Sequence, residues 1–126
     1  MFTGAGDIIM SGRIWDLEER ATAFAIAVRT FVRQLPASVA NLEDGKQLIR
    51  ASGSVPANCI EANEALGHKD RVMKFRISRK EAKESQLWLR LLHLGTNVGM
   101  ETERERLRQE AHELKLIFTS IIKKLE

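Results

Sequence analysis

Tyrosine is absent from the 126 residues, and cysteine appears once. A lone Cys59 excludes an internal disulfide and fits a reducing compartment. One cysteine and three scattered histidines, His68, His93 and His112, form no zinc pattern. Proline is limited to Pro36 and Pro56, so little in the chain breaks a helix. No apolar run approaches the roughly 20 residues needed to cross a membrane. The opening "MFTGAGDIIMSGRI" lacks a basic segment followed by a long apolar one, so it does not read as a secretory signal, and a cytoplasmic protein is expected. Its glycines mark residues 1–12 as a loose tail ahead of a domain at 13–126. Neither sign of charge dominates. Lys and Arg number 20 and Asp and Glu 17, a net charge of +3. A mildly basic balance permits an anionic partner without demanding one.

What is present is helical patterning. Hydrophobic residues are 44% and charged residues 29%, ordinary for one soluble domain. Leu17, Ala21, Phe24, Val28, Phe31 and Leu35 recur at spacings of four and three, one stripe of a helix that Pro36 ends. Asp16 and Glu19 read as its capping box. A second helix is expected from an Asn41 N-cap to Gly67 as its C-cap, kinked near Pro56, with Gly53 easing the bend. A third, over about 69–94, carries two apolar stripes: Met73, Ile77, Trp88 and Leu91, and, some 150° away, Phe75, Ala82 and Leu89. Two apolar sides imply two buried sides, the second either a subunit contact or part of the domain's own core. After a "GTNVGMET" loop at 95–102, a fourth helix starts at Thr102, with Glu105 completing a capping box. Its stripe is Leu107, Ala111, Leu114, Phe118, Ile121 and Leu125, widened by Ile117 and Ile122. Four long amphipathic helices with short connections predict an all-α, antiparallel up-down four-helix bundle.

Chemistry is harder to find. "SGSVPAN" has neither the preceding strand nor the Lys-Ser/Thr ending of a phosphate loop. No GxSxG elbow appears, and Cys59 is most simply a small helix residue. Glu84 lies on the Ile77–Trp88 stripe and is expected to face inward, toward Asn58 and Glu61 of the second helix. A buried carboxylate needs donors, so Asn58, Glu61 and Glu84 read as a structural polar network. The alternative is a carboxylate metal site within the bundle, but its Glu-x-x-His element is absent. The strongest charge signal is "HKDRVMKFRISRKEAK" at 68–83, seven bases against two acids, a formal balance of +5. It is either a solvated face or a surface that neutralises phosphates. Lys69, Arg76, Lys80 and Lys83 are its candidate nucleic-acid contacts.

A resemblance rests on Arg50, Ser52, Ser54, Val55, Asn58, Glu61 and Asn63, followed by "KDRVMKFRISRKEAKESQLWLRLL" at 69–92. These resemble the 23S rRNA intervening-sequence proteins, whose members show Arg-Ser-x-x-Ser-Ile/Val-x-x-Asn-x-x-Glu and then a glutamate before an aromatic-Leu pair. Here Ala51 separates Arg50 from Ser52, Val72 stands where an aromatic is frequent, and Arg79 lies where small residues are common. The resemblance implies a closed four-helix bundle, a homopentamer, a cytosolic setting, no established enzymatic activity and a suspicion of RNA binding; no catalytic residue, cofactor or metal is expected. That family is in turn similar to accessory subunits of diversity-generating retroelements, whose basic barrel contacts nucleic acid. It maps Asn58, Glu61 and Glu84 onto retained polar positions. The competing expectation is a protein-interaction or accessory scaffold with no nucleic-acid role.

Overall fold

The computed structural model describes residues 14–126; the tail read over 1–12 lies outside the described residues. Four helices make up the described chain: α1 Ile14–Val32, α2 Val39–Asn63, α3 His68–Leu91 and α4 Val98–Leu125. Consecutive helices pack on one another, and α1 returns to α4, so the all-α four-helix bundle is formed as expected. The connections at 33–38, 64–67 and 92–97 are short, which forces neighbouring helices to alternate in direction.

The helix ends differ from the expected ones because several Asx and Ser side chains compete as caps. α1 is already helical at Ile14, so Asp16 lies in its first turn instead of capping it. It stops at Val32, and Gln34 and Leu35 close the turn before Pro36 with bonds to the carbonyls three residues back. Ser38, not Asn41, caps α2: its Oγ accepts from Asn41 N at 3.0 Å. α2 ends at Asn63 with Glu64 as C-cap, and Gly67 serves instead as N-cap of α3. Asn97 caps α4 by accepting from Met100 N, so Thr102 sits within the helix and donates to the Val98 carbonyl. In the α3–α4 loop, Gly95 holds φ +69°, a left-handed conformation suited to glycine.

α2 runs through Pro56 as one helix. The hydroxyls near the proline do not bond the Ser52 carbonyl it frees. Ser52 Oγ donates to Ile49 O, and Ser78 Oγ crosses from α3 to Val55 O at 2.9 Å. Gly53 lies beside a close approach: an added Cβ would meet Arg29 Nη2 at 3.0 Å. That guanidinium lies across α2 and donates to Ile49 O.

The core settles which stripe of α3 faces inward. Val72, Phe75, Ser78, Ala82, Ser85 and Leu89 are buried, and Phe75 packs on Phe118 with ring centroids 6.1 Å apart. The stripe Phe75, Ala82, Leu89 thus fills the bundle's own core. Met73 and Leu91, from the other stripe, stay about half exposed, and Ile77 and Trp88 are partly covered. Both helices bury small residues, Ala51, Ser52 and Cys59 on α2 and Ser78 and Ala82 on α3, and α2 and α3 form the broadest helix contact. At α3's C-terminal end, Arg104 Nη1 donates to the carbonyls of Leu89 and Leu92, satisfying acceptors that no backbone amide reaches.

Candidate functional site

With Phe75, Ala82 and Leu89 turned inward, Arg76, Lys80, Lys83 and Glu84 turn outward, while Glu81 stays largely shielded. Glu84 is exposed, a correction to its expected inward orientation. Its row lies on the solvent side because the small serines 78 and 85, not the charged positions, complete the buried row. The expected network does not assemble: no hydrogen bond joins any two of Asn58, Glu61 and Glu84. Asn58 donates back to Ser54 O of its own helix. Glu61 is exposed and meets Lys74 Nζ at 3.0 Å, which holds the Lys74 ammonium above its usual range. Among the described residues no group of three or more His, Cys, Asp or Glu is placed to hold a metal ion.

Cys59 is fully buried, and loss of hydration of the thiolate pushes its pKa up to about 12. A thiol that stays protonated is a poor nucleophile, so Cys59 is a packing residue of the core.

The four candidate basic residues fare differently. Lys69 is exposed in the first turn of α3. Arg76 is paired with the Glu126 carboxylate at the end of α4. Lys80 stands 3.8 Å from Glu81, a loose pair with a lysine side chain 62% exposed. Burial and the neighbouring Glu84 raise the Glu81 pKa above the usual carboxylate range. Lys83 is exposed and makes no ion pair among the described residues.

Lys80 and Lys83 share an open groove of about 510 Å³ between α3 and α4 with Arg90 and Arg108, while Lys69 and Arg76 lie outside it. Arg90 and Arg108 were not among the expected contacts. Arg90 had a signal: it continues the seven-residue spacing of Lys69, Arg76 and Lys83. Arg108 had none, because only folding brings α4 beside that face. Glu84 also lines the groove, as its one carboxylate.

Three arginines of α4 are matched by acids one turn away, among them Arg108 of the groove, which pairs with Glu105. Arg104 pairs with Glu101 and Arg106 with Glu103, and both carboxylates are held below their usual range by those guanidinium bonds. On α1, Arg20 bridges to Glu110 and Glu113. Lys83 and Arg90, exposed and without ion pairs among the described residues, leave the groove a cationic excess.

No described helix is long and apolar enough to cross a membrane. No curated protein matches the chain. A crystal structure of a protein of unknown function from the S23 ribosomal protein family of Bacteroides thetaiotaomicron is similar over 87% of this chain and 97% of its own, with 27% identity and a TM-score of 0.73. Residues 14–120, spanning all four helices but the last turn of α4, match the 23S rRNA-intervening sequence proteins, and the chain belongs to that family.

Proposed function

We propose that the protein is a non-enzymatic, cytoplasmic homo-oligomer, a pentamer, that binds RNA or other nucleic acid through the basic surface of α3. The carrying observation is the uncompensated charge on that surface. Lys69 and Lys83 are exposed without ion pairs among the described residues, and Lys80 is only loosely paired. Such a surface binds phosphates by displacing counterions, without reading sequence. Family membership, with its link to a ribosomal RNA intervening sequence, makes RNA the first ligand to try.

The test is fluorescence anisotropy with a ribosomal RNA fragment and an unrelated RNA of equal length across a salt series. Binding is expected to weaken steeply with salt and to differ little between the two RNAs. Reversing Arg76, Lys80 and Lys83 together is expected to reduce affinity at least ten-fold. No binding at 50 mM salt would sink the nucleic-acid role. Light scattering checks the assembly separately: a pentamer has about five times the 14.3 kDa chain mass, and a mass near 14.3 kDa rules it out.

A protein-interaction scaffold is favoured by a different observation. Met73, Leu91, Ile26, Leu42 and Leu116 each keep half or more of their surface exposed, an apolar excess suited to protein contacts. Nuclease-insensitive recovery of one stoichiometric protein partner, with no RNA retained, would select this role instead.

A further inference from the structure

We propose that the open groove between α3 and α4, rimmed by Lys80, Lys83, Arg90 and Arg108, is the site that takes the phosphodiester groups of a nucleic-acid strand. It assumes the nucleic-acid role above and confines it to one face of the bundle. Positions 80, 83 and 90 fall on one side of α3, and Lys80 and Arg90 are about 15 Å apart along the axis. That length admits more than one phosphate, which a single cation cluster at a helix end does not.

Charge bookkeeping singles out this face. Four cations line the groove against one carboxylate, Glu84. Lys83 and Arg90 are exposed and form no ion pair among the described residues. Arg108 gives one nitrogen to Glu105 at 2.8 Å. Its Nε is shielded and has no hydrogen-bond partner among the described residues. The shielded Nε is out of a ligand's reach, so a phosphate oxygen is met by the guanidinium's terminal nitrogens. Lys74, Arg76 and Arg20, unlike Lys83 and Arg90, are each engaged by carboxylates.

The groove's composition also sets what it reads. Leu87 is its one apolar lining residue, and Gln86 is tied to the Arg108 carbonyl at 3.4 Å. No aromatic ring lines it, so bases find no stacking platform there. The contact is therefore to phosphate, with little preference for sequence or for ribose over deoxyribose. Glu84 opposes the ligand, and its removal strengthens binding.

The experiment uses the full chain and a fluorescein-labelled 20-nucleotide single strand, as RNA and as DNA, with anisotropy read from 50 to 200 mM salt. K83E/R90E is compared with K46E/K123E, an equal charge change on exposed lysines outside the groove and off α3. The groove pair is expected to lose at least ten-fold in affinity and to flatten the log–log salt slope by about 1.4, two contacts at roughly 0.7 each. The outside pair is expected to lose under three-fold. E84Q is expected to gain about three-fold, from one unit charge some 6 Å away in water, a gain that misfolding does not mimic. Equal losses in the two charge-reversal pairs, or no gain in E84Q, would overturn the groove assignment while leaving nucleic-acid binding in place. A hundred-fold preference for RNA or DNA would overturn contact through phosphate alone. A parallel titration with inorganic tripolyphosphate follows backbone amide resonances. Shifts confined to 80–90 and 104–108, without binding of either strand, would keep the groove as a polyanion site and overturn the nucleic-acid role.

Discussion

Asn41 shows how much one buried amide can hold. It is 4% exposed and uses both ends of its side chain. Nδ2 donates to Pro36 O at 2.9 Å and to His93 O at 2.8 Å, and Oδ1 accepts from His93 N at 2.9 Å. One residue thus ties the α1–α2 connection to the α3–α4 connection at the same end of the bundle. Asn41→Ala removes three part-buried hydrogen bonds to backbone groups, each worth about 1 kcal/mol. The expected loss is about 2–3 kcal/mol in urea denaturation, and Asn41→Asp, which keeps the shape but loses the donors, is expected to fall nearly as far. A loss below about 0.5 kcal/mol for the alanine variant would mean that the two loops hold together without the tie. Nothing in "SVANLEDG" announces this role. Asn41 has the residue type of an N-cap, and its distant partner His93 is placed only by the closed fold.

At the scale of elements, the rows of α1 and α4 were legible because large apolar side chains fill them: Leu17, Phe24, Phe31, Leu107, Leu114 and Phe118 are all buried. α3 was legible only in part. Its buried row is completed by Ser78 and Ser85, which an apolar count passes over, while Ile77 and Trp88 drew Glu84 toward an inward reading. Close helix packing favours small side chains even when they are polar, provided a hydroxyl finds a carbonyl, as Ser78 does at Val55. Half of the candidate site lay beyond that reading: Arg90 and, from α4, Arg108 join the expected Lys80 and Lys83 at one groove once the bundle closes. Gly53 offers a test of the packing of α1 on α2. Alanine is favoured over glycine by about 1 kcal/mol within a helix. The new methyl meets only the tip of Arg29, whose bond to Ile49 O is already long at 3.4 Å. Gly53→Ala is therefore expected to stabilise by about 0.5 kcal/mol, a rise of roughly 2 °C in Tm. A fall in Tm would show that Arg29 cannot yield and that its reach across α2 outweighs the helix gain.

Over the whole molecule, closure of the bundle depends on its weakest seam. α1 meets α4 over a narrower strip than any other neighbouring pair, and the polar edge of that strip is Arg20. Its Nε and Nη2 grip Glu110 at 2.8 and 2.9 Å, and Nη2 also reaches Glu113 at 2.7 Å. Hydrogen bonds from Gln109 and Arg20 hold the Glu113 carboxyl below its ordinary value of 4.5. A carboxylate with a lowered folded pKa binds fewer protons folded than unfolded, so its stabilisation is complete above 4.5 and is lost as pH falls through the lower folded value. Arg20 is 39% exposed, so solvent screening limits the seam's share to about 1 kcal/mol. Arg20→Ala is expected to cost about that much at pH 7, and the gap from the wild type is expected to shrink as pH falls below 4.5. Urea titrations of both proteins at pH 7, 5, 4 and 3 measure it. A gap that persists undiminished at pH 3 would assign the loss to packing of the arginine stem on α4, and the seam would then be held by contact instead of charge.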